Sequence, residues 1–180
     1  VTAIETLVRW QHPDQGLLPP STFLGQAERA GLLGELGERL LHKAANHFDV
    51  WRRDSPNIKL CVTVVASQLC DEAFVGALQT FLVTRNLPAS ALEIEVSAEI
   101  FGTEHSPQLI TSLHQISALG LSLTLSEVGR APISITQISE LSLRHLKVDA
   151  QLVRAMVQQE RAKNVVGALL SMARALGVSA

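Results

Sequence analysis

Five short segments of this chain alternate apolar and polar residues with a period of two, and helical stretches separate them. In AIETLVRW, Ile4, Thr6 and Val8 oppose Glu5, Leu7 and Arg9. In KLCVTVV, Leu60, Val62 and Val64 oppose Lys59, Cys61 and Thr63. In LEIEVS, Leu92, Ile94 and Val96 oppose Glu93, Glu95 and Ser97. In LSLTLS, Leu121, Leu123 and Leu125 oppose Ser122, Thr124 and Ser126. In HLKVD, Leu146 and Val148 oppose His145, Lys147 and Asp149. Successive side chains of a strand point to opposite faces, so each segment reads as a strand with one oily and one polar face. Thr6 and Leu7 are the exceptions.

Strand–helix alternation predicts a parallel sheet in an α/β domain. Two architectures offer that, an open doubly wound sheet and a (β/α)8 barrel. An open sheet is covered on both faces and its strands read as near-continuous Val, Ile and Leu. The two-faced strands favour the barrel, with oily residues under the outer helices and polar ones lining the interior. Glu5, Arg9, Glu95 and Lys147 would then point inward. Four charges in one barrel are costly unless they are satisfied, either by pairing with one another or by holding a ligand.

The predicted order begins with a strand over 3–10 and a turn at His12-Pro13-Asp14-Gln15-Gly16. A helix follows from Ser21 to about Ala30, stopped by Gly31, and a longer one from about Leu36 to Arg53, with Leu40, Ala44 and His47/Phe48 on one face. A strand over 59–65 leads to a helix opened by Asp71. A strand over 92–97 precedes a helix capped by Ser106-Pro107 and ended by Gly120. Strands over 121–126 and 145–149 flank a short helix from Ile133 to Leu141. Helical material then runs to Leu176, with a break near Gln159.

The chain has 180 residues, enough for one domain with a substantial core. Apolar residues make up 47% and charged residues 18%, which excludes disorder. Fifteen Lys and Arg against 17 Asp and Glu give a formal charge of −2, so there is no basic excess for general nucleic-acid binding. The longest apolar runs, such as VTVVA, are too short for membrane insertion, and no signal-peptide pattern is visible. Cys61 and Cys70 lack zinc-ligand spacing and read as reduced thiols of a cytoplasmic protein. The opening on Val1 and the close on Ala180 suggest a piece of something longer. Gly34 and Gly37 follow no strand and make no phosphate loop.

ETLVRWQHPDQGLLPPSTF resembles the opening of EAL domains, the bacterial cyclic-di-GMP phosphodiesterases, where E-A-L-x-R-W-x-H-P-x-x-G recurs. VTVVASQL, LEIEVSAE, LSLTLSEVGRAPISI and LRHLKVD resemble later blocks of that family, in the same order. The resemblance covers nearly all of residues 1–180 as a single EAL-like domain. It implies a modified (β/α)8, TIM-like barrel, incomplete in this chain because the first strand and the last units are missing.

The resemblance also implies functional positions. Metal ligands of active members fall on Glu5, Thr63, Glu95, Ser126 and Glu127, the catalytic lysine on Lys147, and a further family carboxylate on Asp149. Thr63 stands for an Asn, Ser126 for the first Asp of a D-D pair, and Glu127 for the second. Ala98 replaces a loop-anchoring Glu, and Arg130 and Pro132 interrupt what is a flexible glycine-rich turn in the family. A hydroxyl supplies little of the charge that two clustered Mg2+ or Mn2+ ions require. The expectation is therefore a catalytically inactive, receptor-type member. No cofactor is expected, and Glu5, Glu95 and Glu127 remain as the remnant of the metal set. Glu5, Leu7 and Arg9 preserve the E-x-L-x-R element, in which the arginine meets a ligand phosphate and the leucine packs near a guanine. The expected partners are cyclic-di-GMP, bound around Glu5, Leu7, Arg9, Thr63, Glu95, Ser126, Glu127, Lys147 and Asp149, and a protein that receives the signal. The alternatives are a protein-interaction module without nucleotide and a phosphodiesterase with unusual ligands.

Overall fold

A computed structural model describes residues 2–101, 107–131 and 133–180. The caps and turns assigned to Ser106 and Pro132 lie outside the described residues, as does His105. Among the described residues, five parallel strands form one sheet in the order β1 (Ala3–Glu5), β4 (Lys59–Thr63), β5 (Leu92–Ser97), β6 (Ser122–Val128), β7 (Leu143–Val148). At the far side of β7, Ser179 makes a parallel bridge to His145.

The sheet curls into a half-barrel, and one contact shows why it must. β1 and β7 lie four strand spacings apart, ~19 Å across a flat sheet at ~4.8 Å per strand. Yet Lys147 Nζ on β7 is 3.1 Å from Glu5 Oε2 on β1. Curling brings the polar faces together, which settles the choice between open sheet and barrel that strand parity had raised.

The oily faces do what the alternation demands. Leu60, Leu92, Ile94, Val96, Leu123, Leu125 and Leu146 are all but fully buried under the helices. Those helices are α1 (Pro20–Arg29), α2 (Leu33–Asp54), α3 (Ala66–Leu69), α4 (Phe74–Thr84), α5 (Pro107–Ala118), α6 (Ile135–Glu140), α7 (Ala150–Ala155) and α8 (Glu160–Ala175). The buried stripe of α5 is Leu109, Leu113 and Ile116, as its spacing predicts. That of α2 is Leu41, Ala45 and Phe48, one residue on from the expected Leu40–Ala44 face. Among the described residues no helix is long and apolar enough to cross a membrane.

The first predicted strand is corrected. It does not run to Trp10 but leaves the sheet after Glu5, where the Thr6 amide and hydroxyl both donate to the Cys61 carbonyl. Trp10–His12 (β2) then pairs antiparallel with Gly16–Leu18 (β3). His12 Nδ1 accepts from the Asp14 and Gln15 amides, and Gly16 takes φ +74°, so the hairpin is tied off locally. Trp10 packs edge-on against Phe23 of α1, which holds the ribbon outside the barrel. Consequently Arg9 is not on an inward-facing strand position.

Other boundaries shift for local reasons. Helix α3 is a single turn between β4 and α4 that the predicted order lacks. The Gln68 side chain accepts from the Val65 amide and stabilises it. α4 begins at Phe74, after Asp71 has accepted the Ala73 amide. α6 begins at Ile135, because Ser134 caps it. The break near Gln159 falls where expected, between α7 and α8.

Candidate functional site

Glu5, Glu95 and Lys147 meet at the C-terminal ends of their strands. Glu5 closes β1 in register with Cys61, and Glu95 lies on β5 in register with Thr63 and Thr124. The Lys147 ammonium donates to Glu95 Oε2 and to Glu5 Oε2. Cys61 Sγ donates to the same Glu95 oxygen at 3.4 Å. Glu95 is buried, while Glu5 and Lys147 face the opening.

The charges govern one another. Burial alone would lower the Lys147 pKa, but its hydrogen bonds to Glu95 and Glu5 outweigh burial and hold it above the usual lysine value. Burial, reinforced by the Glu95 charge, pushes the Cys61 thiol well above the ordinary thiol range. The triad is thus an ammonium shared by two carboxylates, with a neutral thiol beneath.

A second polar layer lies deeper on the same strand faces. Glu93, 3% exposed, accepts from Thr124 Oγ1 and stands 3.1 Å from His145 Nδ1. Its Oε2 is buried without a partner among the described residues. Lys59 Nζ donates to Ser122 Oγ at 2.7 Å, and burial together with the charge of Arg144 lowers its pKa. Sequence reasoning placed these residues on the polar parity but passed over them as a group. The signal was the same alternation, followed one step further into the barrel.

Above the triad, the structure separates the remaining candidates. Thr63 is exposed beside Glu95. Ser126 is 8% exposed, and its hydroxyl donates to the Val96 carbonyl. Glu127 adopts φ +56° and accepts from Ser97 Oγ at 2.7 Å and from Arg130 at 2.9 Å. Asp149 Oδ1 accepts the Gln151 and Leu152 amides and caps α7. Leu7, 66% exposed, and Arg9 lie on the unpaired segment between β1 and the β2–β3 ribbon. Arg9 donates to the Val8 carbonyl and faces solvent. A cavity of about 1040 Å³ starts beside Glu5, Leu7, Arg9 and Thr63 and continues among apolar side chains between β4, α2 and α4. Among the described residues no three of His, Cys, Asp and Glu are grouped so as to hold a metal ion.

Comparison with known proteins places this geometry. A family profile described as "EAL domain" matches residues 1–180. The chain is 29% identical to the cyclic di-GMP phosphodiesterase PdeR of Escherichia coli (strain K12), over 99% of this chain and 27% of that protein. It is 30% identical to the cyclic di-GMP phosphodiesterase NbdA of Pseudomonas aeruginosa, over 98% of this chain and 22% of that one. The chain therefore spans about a quarter of the length of these relatives. Among solved structures, the PaMucR phosphodiesterase in complex with c-di-GMP superposes with a TM-score of 0.90 at 26% identity, covering 98% of this chain and 72% of that one. The FimX EAL domain of Pseudomonas aeruginosa, bound to c-di-GMP, superposes with a TM-score of 0.83 at 20% identity, covering 98% and 70%.

Proposed function

This chain belongs to the EAL domain family, and on that premise we propose that it binds cyclic di-GMP at the barrel mouth without hydrolysing it and relays its ligand state to a protein partner. The observation that carries the reading is the pairing of Leu7 and Arg9 beside Glu5. An apolar side chain left 66% exposed, close in sequence to a solvent-facing guanidinium that donates to the Val8 carbonyl, offers a guanine a packing surface and a phosphate a planar donor fork. The 26%-identical PaMucR structure holds c-di-GMP, which supports the choice of ligand.

Inactivity is supported by the donors at the mouth, which fit a pair of divalent ions poorly. Two dications need several carboxylate oxygens free to converge. Glu5 and Glu95 share Lys147, and both Glu127 oxygens are committed to Ser97 and Arg130. Asp149 commits its Oδ1 to the cap of α7, and Ser126 is a neutral hydroxyl turned to a backbone carbonyl. No hydrolytic step is therefore assigned to this mouth. Two free cysteines, one buried and one exposed, fit a reducing, cytoplasmic setting.

Isothermal calorimetry with cyclic di-GMP in EDTA tests the reading. Binding is expected without metal. Arg9→Ala should weaken it by ~1.5–3 kcal/mol, roughly 10- to 150-fold in Kd, the scale of a charged hydrogen bond. Absence of binding would instead favour a protein-interaction module. A linear dinucleotide formed with Mg2+ would refute inactivity.

A further inference from the structure

The turn after β6 carries an ion-pair network that the ligand reading does not use. Arg130 Nη1 lies 2.9 Å from Glu127 Oε1, and Arg130 Nε lies 3.1 Å from Glu99 Oε1. Ser97 Oγ donates to the other Glu127 oxygen and accepts the Glu99 amide. One guanidinium and one hydroxyl thus tie the end of β5 to the turn after β6.

The backbone prepares this arrangement. Glu127 sits at φ +56° and Gly129 at φ +98°, and the Arg130 amide donates to the Glu127 carbonyl. A Cβ at Gly129 would stand 2.8 Å from Leu152 and 3.1 Å from Leu169, so the turn is pressed onto α7 and α8. The Val128 carbonyl accepts the amide of Asp149, the residue between β7 and α7. Arg130 is therefore delivered to the carboxylates by a turn with little freedom. Its fork can engage two acceptors at once, which a point charge matches less well.

We infer that the Arg130 guanidinium, clamped between Glu99 and Glu127, is a built-in counter-ion that positions the turn after β6 and withholds Glu127 from metal ions. This deepens the proposed metal-independent binding and rests on that reading only for its functional meaning. Lys147 plays the corresponding part between Glu5 and Glu95. Two tethered cations thus engage four carboxylates, Glu5, Glu95, Glu99 and Glu127, and a dication entering the mouth must displace an ammonium or a guanidinium to reach them. Arg130 is a positioning residue.

The clamp is tested with Mn2+ alone, by electron paramagnetic resonance titration without nucleotide. The wild-type protein is expected to bind Mn2+ only weakly. Arg130→Ala, at a half-exposed side chain, should raise Mn2+ affinity at least tenfold. The gain should vanish in Arg130→Ala/Glu127→Gln, which separates coordination by Glu127 from a general change of charge. Arg130→Lys should retain only part of the exclusion, since an ammonium cannot hold both carboxylates as the fork does. Glu99→Gln, which loosens the clamp from its other end, should give a smaller gain and faster amide exchange over 127–131. Equal Mn2+ affinity in wild type and Arg130→Ala, or a gain that survives Glu127→Gln, overturns the inference. Failure of cyclic di-GMP to bind the wild type would overturn the ligand reading and leave the Mn2+ result standing.

Discussion

Replacing Lys147 by Met removes the cation that Glu95 depends on. Glu95 would remain buried, with the Cys61 thiol at 3.4 Å as its remaining side-chain donor among the described residues. Breaking a fully buried ion pair by deleting one partner costs ~3–5 kcal/mol. The Lys147 side chain is 41% exposed, so water screens part of the interaction and ~2–3 kcal/mol is the expected loss. In urea the midpoint should fall by ~1–2 M with an unchanged slope. The pH dependence identifies the cause. The Lys147 pKa is raised above its ordinary value of 10.5, so its stabilisation is fully present below that pH and is lost only as the pH rises beyond it. Between pH 5 and 8 the wild-type contribution of Lys147 is therefore constant. A double-mutant cycle with Glu95→Gln should return a coupling of at least ~1 kcal/mol. A deficit below ~0.5 kcal/mol, or a coupling near zero in the cycle, would refute the reasoning.

In the native protein a thiol reagent at pH 8 should label Cys70, which is exposed, and spare Cys61, whose thiol is buried and pushed up by Glu95; labelling should rise to two thiols only on unfolding. Gly129→Ala should lower stability by ~1–2 kcal/mol, because φ +98° suits glycine and the added methyl meets Leu152 and Leu169; a thermal melt matching wild type would show that the turn has more room than described.

How much of this was legible in the sequence varied with the range of the forces involved. Strand parity is local and periodic, so Leu92–Ser97 was read to the residue, and the barrel followed from its two-faced pattern. The Lys147 bridge to Glu5 was open to inference once curling was accepted, since both sit on polar parity near strand ends. The exit of the chain after Glu5 was not. Ile4 and Val8 keep the alternation in spite of the exceptions at Thr6 and Leu7, but the hairpin around His12 and the Trp10–Phe23 contact take the following residues elsewhere. That single departure moves Arg9 from the barrel interior to its rim. The Arg130 clamp was illegible for a different reason. It joins Glu99, Glu127 and Arg130 to one another and to Ser97 through backbone angles that composition does not announce. Ser126 and Thr63 stand out as substitutions only against the family pattern, not by any local physical signal.

Equilibrium dialysis of labelled cyclic di-GMP against the protein, in EDTA and again in Mg2+, bears most directly on the central claim, provided the nucleotide is recovered and separated afterwards. The account predicts the same retained ligand in both buffers and intact cyclic dinucleotide in each. Retention that requires Mg2+, or linear dinucleotide in the Mg2+ chamber that disappears with Glu5→Ala, would contradict it.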